Sequence, residues 1–161
     1  MATIRMATLK DAPALHELTW RAYEPIRKLG INFAAATADL SLVERNIQEH
    51  MCFVMEEEGR IICTVTLRMP WSSQPGPFGV PHIWWLATDP DFKNRGIASR
   101  MLTWCEEEMV RDTLKSPAVS LGTAQNHPWL VDMYKRRGYK EIMTKDLGRG
   151  HITVFMKKEL R

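Results

Sequence analysis

The stretch from residue 82 to residue 114 constrains the fold of this chain more than any other part. Residues 82 to 88 form a continuous apolar run, which is typical of a central strand covered on both faces. Residues 95 to 114 carry apolar side chains at helical spacing, whereas Glu106, Glu107 and Arg111 are predicted to face solvent. A buried strand that leads through a short turn into a long amphipathic helix predicts a sheet with helices packed against it.

The turn between this strand and this helix is suited to an anion. Gly96 and Ala98 carry little or no side chain, so a phosphate can approach the backbone there. The start of a helix exposes unpaired N–H groups at the positive end of the helix dipole. Lys93, Arg95 and Arg100 add positive charge close by. The turn therefore predicts a site for a phosphate-bearing ligand, and the chain contains neither a GxxxxGK[ST] nor a GxGxxG motif.

The other elements complete a mixed sheet. Alternating or apolar runs predict further strands near residues 3–6, 52–55, 61–67, 118–121, 139–143 and 152–156, with helices near 11–28, 39–49 and 128–136. Residues 70–81 are rich in Pro and Gly and predict a long loop, either a wall of a binding site or a disordered hairpin tip. The chain of 161 residues has no internal repeat, so residues 1–161 are expected to form a single domain.

Composition excludes several classes of function. The formal charge of +3 is too small to indicate a nucleic-acid partner, although it permits an anionic small ligand. No stretch approaches the roughly 20 apolar residues of a membrane helix, so no membrane partner is expected. Cys52, Cys63 and Cys105 are odd in number and lack metal-ligand spacing, which predicts no metal site and a cytoplasmic protein.

With these residues placed, the chain resembles the GNAT superfamily of acetyl-CoA-dependent N-acetyltransferases. That family has a central [QR]-x-x-G-x-[GA] motif, often after Leu-Ala-Val-x-Pro, and a later Tyr-x-x-x-Gly-[Phe/Tyr] motif. The stretches that match are Leu86-Ala87-Thr88-Asp89-Pro90, Lys93-Asn94-Arg95-Gly96-Ile97-Ala98 and Tyr134-Lys135-Arg136-Arg137-Gly138-Tyr139. Lys93 stands where the family has Gln or Arg. The resemblance implies an α/β (α+β) fold, with a mixed, mostly antiparallel sheet of six to seven strands, helices on both faces and splayed central strands.

The resemblance also implies acetyl-CoA as the acetyl donor. It assigns the pantetheine arm to the backbone of the central strand, the pyrophosphate to the turn, and one further contact to an Asn after the next strand. The cofactor-binding residues implied in this way are Leu86, Ala87, Thr88, Asn94, Arg95, Gly96, Ile97, Ala98, Ser99 and Asn126. Asn126 lies one residue further from Tyr134 than the family spacing, so either Asn126 or His127 takes that place.

Catalysis requires a neutral amine to attack the thioester and the CoA thiolate to leave. Tyr134 matches the family position of the acid that protonates the thiolate, and a phenol has an ordinary pKa of about 10. The alternative is a packed tyrosine whose hydroxyl only contacts the cofactor sulfur. His82 is the candidate base for the amine, and the alternative is a solvated or capping histidine. Glu24, at the end of the first helix, is a further candidate base.

The acceptor is expected to be a small primary amine or an amino-acid-like metabolite. Its wall is predicted from aromatic side chains near the first helix and in the long loop, namely Trp20, Tyr23, Phe33, Trp71 and Phe78. Two alternatives stay open: acetylation of a peptide, protein N-terminus or other macromolecular amine, and a non-catalytic acyl-CoA-binding module. A homodimer stays open as the assembly.

Overall fold

A computed structural model describes residues 2–127, 129–148 and 150–160, and seven strands in this part of the chain form one sheet. The strands are β1 (Thr3–Met6), β2 (Met51–Glu57), β3 (Arg60–Arg68), β4 (His82–Thr88), β5 (Ala118–Ala124), β6 (Lys140–Asp146) and β7 (Ile152–Glu159). Their order across the sheet is β1-β2-β3-β4-β5-β7-β6. All neighbours are antiparallel except β4 and β5, which run parallel. The predicted mixed, mostly antiparallel sheet is therefore confirmed.

In the described ranges, five α-helices accompany the sheet. They are α1 (Ala12–Ala22), α2 (Glu24–Lys28), α3 (Leu40–Glu49), α4 (Ile97–Trp104) and α5 (Leu130–Arg136), and α4 continues as a π-helical segment over Cys105–Thr113. The predicted first helix is divided at Tyr23, and α5 begins two residues later than predicted; Pro128 lies outside the described residues. No helix of the described ranges is long and apolar enough to cross a membrane.

The helices cover both faces of the sheet. Strand β2 shows this, because its successive apolar side chains point alternately to the two faces. Cys52 and Val54 belong to a cluster that includes α1 and α3. Phe53 and Met55 point the other way, into a larger cluster that includes α4, the π-helical segment and α5. The predicted placement of helices on both faces is thus confirmed, with one apolar cluster on each side of the sheet.

Strand β4 contains an irregular residue at its centre. Trp85 has a φ of 58°, in the left-handed region that an aromatic L-residue rarely adopts. The β3–β4 register shifts at this point, because one extra residue of β4 lies between the pairs Thr64↔Ala87 and Thr66↔Trp84. The indole is buried, and its N–H donates to the Thr19 hydroxyl of α1 at 3.1 Å. Packing against α1 therefore holds the strained residue in place.

The bulge coincides with a gap between the two parallel strands. In the described part of the chain, β4 and β5 pair only at His82↔Ser120 and Ile83↔Leu121. Beyond these pairs the strands separate, so residues 84–88 have no strand partner on the β5 side among the described ladders. The predicted splay of the central strands is confirmed, and it produces a cleft that opens toward the turn before α4.

The π-helical segment corrects one prediction. Glu106 was expected to face solvent on a regular helix, but only 1% of its surface is exposed. A π-helix has a wider turn than an α-helix, so the apolar and polar positions after Trp104 shift around the axis. The Glu106 carboxylate accepts hydrogen bonds from the Tyr139 hydroxyl at 2.6 Å, from Lys158 Nζ at 2.8 Å and from Arg137 at 3.3 Å. The buried charge is therefore paired and hydrogen-bonded.

The Glu106→Gln substitution should lower the free energy of unfolding by about 3 kcal/mol, because it leaves Lys158 and Arg137 side by side without their buried counter-charge. Urea denaturation of the variant and the wild type measures the difference. The matched control is Glu107→Gln, a change at an exposed neighbour, which should alter stability by less than about 0.5 kcal/mol. Equal, small effects of both substitutions would show that the Glu106 cluster does not stabilise the fold.

Candidate active site

The edge of the cleft is formed by the last residues of β4. Leu86 and Thr88 are half-buried, and Ala87 is buried. The carbonyl oxygen of Leu86 accepts a hydrogen bond from the Tyr23 hydroxyl at 2.6 Å, which fixes the α1–α2 junction to the cleft. A carbonyl oxygen has two lone pairs, so Leu86 retains acceptor capacity toward a ligand. Below the cleft, the Cys63 thiol lies 3.5 Å from the Thr88 hydroxyl.

The predicted phosphate-binding turn has the backbone shape of an anion site. Asn94 and Gly96 both adopt left-handed conformations, with φ of 66° and 70°. Alternation of right- and left-handed residues turns successive N–H groups toward one side, a geometry that binds anions. Asn94, Arg95, Gly96 and Ser99 are exposed and Ala98 is half-buried, whereas Ile97 anchors the start of α4 in the core. The left-handed conformation of Asn94 carries no sequence signature beyond a tolerance of Asn for that region.

An arginine that the sequence did not single out lies at this turn. Arg137, directly after α5, donates to the Ser99 hydroxyl at 2.9 Å and to the Thr103 hydroxyl at 3.0 Å, and both acceptors lie on α4. The same guanidinium contacts Glu106. Arg95 instead lies 3.3 Å from Glu57 at the end of β2. Arg137 therefore connects the helix of Tyr134 to the first turn of α4.

Tyr134 lies on α5 and belongs to the apolar cluster that includes α4 and the π-helical segment. Its ring is buried and contacts the Tyr139 ring edge-on, with 5.6 Å between centroids. Burial raises the pKa of Tyr134 to about 12, even though the nearby Arg137 lowers it. The phenol is therefore protonated at neutral pH, as a proton donor must be. Burial, together with Tyr134 and Cys63, also raises the pKa of Tyr23, so both hydroxyls stay protonated.

His82 lies at the closed end of the cleft, where β4 and β5 pair. Only 2% of its surface is exposed, and its Nδ1 is 2.8 Å from the Ser120 hydroxyl. The long loop crosses directly over the ring and leaves no space for a side chain at Gly76. A Cβ atom added there would lie only 2.6 Å from Nδ1 of His82. Burial, assisted by the charge of Arg68, lowers the pKa of His82 to about 3. The imidazole is therefore neutral throughout the physiological pH range and enclosed.

The two residues after β5 differ in their environment. Asn126 is exposed in a turn. His127 is buried, and its Nδ1 accepts from the backbone N–H groups of Trp129 and Leu130 at 3.4 and 3.3 Å, which caps the start of α5. Glu24 is exposed and pairs with Lys28 at 3.0 Å. Neither Glu24 nor Asn126 is held in the cleft by a contact among the described residues.

The structure brings together part of the predicted aromatic wall. The Phe33 ring lies edge-on to Tyr23 at 6.4 Å and to His151 at 5.3 Å, and Phe78 of the loop contacts Phe155 at 6.4 Å. Trp20 is instead covered by the Arg27 guanidinium, 3.7 Å above its ring. Trp71 is 80% exposed and lies apart from this group. Within the described ranges, no group of three His, Cys, Asp or Glu side chains could hold a metal ion.

Comparisons with known proteins agree with this geometry. Residues 12–139 match the acetyltransferase (GNAT) family. The chain is 65% identical over 157 residues to the S-(2-succino)cysteine N-acetyltransferase of Bacillus subtilis (strain 168), covering 98% of this chain and 95% of that protein. It is 45% identical over 157 residues to the S-alkylcysteine N-acetyltransferase of the same organism, covering 97% of this chain and 88% of that protein.

A solved structure supports the fold. The PaiA N-acetyltransferase from Thermoplasma acidophilum, in complex with coenzyme A, superposes with a TM-score of 0.74 at 13% identity, covering 99% of each chain. The family match extends over most of the chain, and the curated relatives align over nearly all of it. This protein therefore belongs to the GNAT acetyltransferase family and is an acetyl-CoA-dependent N-acetyltransferase.

Proposed function

We propose that residues 1–161 form one acetyltransferase domain that acetylates the α-amino group of S-substituted cysteines. The observation that carries this proposal is the 65% identity, over 98% of the chain, to an S-(2-succino)cysteine N-acetyltransferase. The 45% identity to an S-alkylcysteine N-acetyltransferase points to the same class of acceptor. Cytoplasmic location belongs to the same proposal, because the three cysteines are free and buried, as in proteins of reducing compartments.

The splayed strands and the turn before α4 are the proposed site of acetyl-CoA. Backbone groups of Leu86, Ala87 and Thr88, which β5 leaves without a strand partner, would pair with the pantetheine arm. The N–H groups of the turn would bind the pyrophosphate, and the exposed Asn126 would contact the donor from beyond β5. The proposed cradle is formed by Asn94, Arg95, Gly96, Ile97, Ala98 and Ser99. The donor supplies the activated acetyl group.

Tyr134 and His82 have separate proposed roles. Tyr134 would donate its phenol proton to the departing thiolate, a role supported by its protonated state and its place in the Tyr-x-x-x-Gly-Tyr motif. His82 would take up the amine proton only transiently and pass it on, because an imidazole with a pKa of about 3 does not hold a proton at neutral pH. Because the imidazole is enclosed and bonded to Ser120, its proton must pass through a hydroxyl or water rather than by direct contact with the amine.

An acceptor screen tests the proposed function. Thiol release from acetyl-CoA should be fast with S-(2-succino)cysteine and S-alkylcysteines, with kcat/KM at least about 100-fold higher than with a polyamine or a peptide N-terminus. The control is Gly96→Asp, which places a carboxylate at the proposed phosphate site and should abolish release with every acceptor. A preference for the peptide would instead favour a macromolecular substrate, and no release with any amine would favour a non-catalytic module.

Replacement of Tyr134 by Phe should lower kcat about 100-fold, because the thiolate loses its proton donor. The KM for acetyl-CoA should change by less than about twofold, since the ring remains in place. Steady-state kinetics with a saturating cysteine conjugate measures both constants. The matched variant Tyr139→Phe removes a hydroxyl that bonds Glu106, so it should lower thermal stability and preserve kcat. An unchanged kcat in Tyr134→Phe would exclude Tyr134 as the acid.

Stability should depend on pH through His82. Its pKa is about 3 in the folded protein, against about 6.5 when unfolded, so between these values the unfolded chain binds a proton that the folded protein does not. The contribution of His82 to the free energy of unfolding is therefore fully present above pH 6.5 and is lost as the pH falls. The loss between pH 7.5 and 5.5 should be about 1.4 kcal/mol. His82→Gln should lack this loss in urea denaturation. Parallel pH dependences of the two proteins would show that His82 is not held neutral by the fold.

A further inference from the structure

A polar row crosses the closed end of the cleft on the face covered by α1 and α3. Arg68 of β3 pairs with His82 of β4, and Thr66 pairs with Trp84, so all four side chains share one face. The Arg68 guanidinium lies 4.8 Å over the Trp84 ring, and both side chains are half-buried. The planar contact with the indole orients the guanidinium, because Arg stacks on aromatic faces.

A second polar group flanks the same indole. His50, at the end of α3, contacts the Trp84 ring edge-on at 5.9 Å. Its Nδ1 is buried and has no hydrogen-bond partner among the described residues. Gly76 of the long loop covers His82, so the loop closes this end of the row. Trp84, Arg68 and His50 therefore form one group of contacting side chains at the closed end of the cleft, next to His82.

Arg68 supplies a positive charge beside the two histidines. Besides burial, the charge of Arg68 lowers the pKa of both His50 and His82, so the two imidazoles are neutral at pH 7. The negative charge of Glu49, which is exposed on the last turn of α3, opposes this effect and raises the pKa of His50. The Arg68 guanidinium thus lies beside two neutral imidazoles, a combination of groups that can bind a carboxylate.

Each of three other guanidiniums near the first helix contacts a group other than His82. Arg21 and Arg60 pair with Asp89 and Asp91 on the outer side of β4. Arg27 donates to the Ala36 carbonyl at 2.8 Å and lies over Trp20. Arg68 pairs with His82 across the two strands, so it lies beside the proposed acceptor of the amine proton.

We propose that Arg68, oriented by Trp84 and assisted by His50, binds the α-carboxylate of the acceptor. This inference rests on the proposed function, because S-substituted cysteines carry a carboxylate two bonds from the reacting nitrogen. A guanidinium beside the closed end of the cleft can hold that carboxylate while the amine faces the thioester. Arg68 thereby selects α-amino acids over simple amines.

Two acceptors that differ only in the carboxylate test this role: S-ethylcysteine and its decarboxylated counterpart, 2-(ethylthio)ethylamine. Arg68→Met should lower kcat/KM for S-ethylcysteine about 10- to 100-fold, the loss expected for a charge-assisted hydrogen bond. It should change kcat/KM for the decarboxylated amine by less than about threefold. Arg68→Lys, which keeps the charge, should retain part of the preference for the amino acid.

Two measurements separate binding from folding. The KM for acetyl-CoA should be unchanged in Arg68→Met, and Arg45→Met, at an exposed position of α3, should match the wild type with both acceptors. An equal loss with both acceptors, or no loss with either, would overturn the role of Arg68 and leave the proposed function intact. Failure of the wild type to acetylate any cysteine conjugate would overturn both proposals together.

Discussion

The left-handed backbone at Trp85 is the constraint on which the active site depends. A non-glycine residue in this region costs about 1–3 kcal/mol, so it persists only where the surroundings enforce it. Here the indole is buried in the cluster of α1 and α3 and donates to the Thr19 hydroxyl. The β4–β5 ladder ends after two pairs, just before this irregular residue. The buried tryptophan thus marks the point beyond which β4 lacks a strand partner on the β5 side in the described ladders.

The two walls of the cleft belong to different packing units. Tyr23 reaches the Leu86 carbonyl from the α1 side, whereas Tyr134 lies in the cluster of α4 and α5 on the opposite face. On that second face, Arg137 bonds α4 through Ser99 and Thr103, and the buried Glu106 holds Arg137. The same ion cluster therefore stabilises the fold and fixes the distance between the proposed phosphate turn and the proposed acid.

Much of this arrangement could be predicted from the sequence, because local patterns determine it. The apolar run of β4, the small residues at 96 and 98 and the Tyr-x-x-x-Gly-Tyr motif identified the strand, the turn and α5 correctly. Glu106 could not be predicted, since the π-helical turn that buries it is not visible in a 3.6-residue period. The enclosure of His82 could not be predicted either, because it depends on the path of the irregular loop that carries Gly76. The contacts of Arg137 and Arg68 join segments that are separate in sequence.

The chemistry of the cleft also explains where the thiols of this protein lie. Cys63 is buried with its thiol 3.5 Å from the Thr88 hydroxyl, and burial raises its pKa to about 11. The pKa of Cys105 rises to about 12 for the same reason. Only a thiolate exchanges readily with an activated sulfur ester. Cys63 and Cys105 are therefore held as thiols at neutral pH, a form that competes poorly with an amine for a thioester.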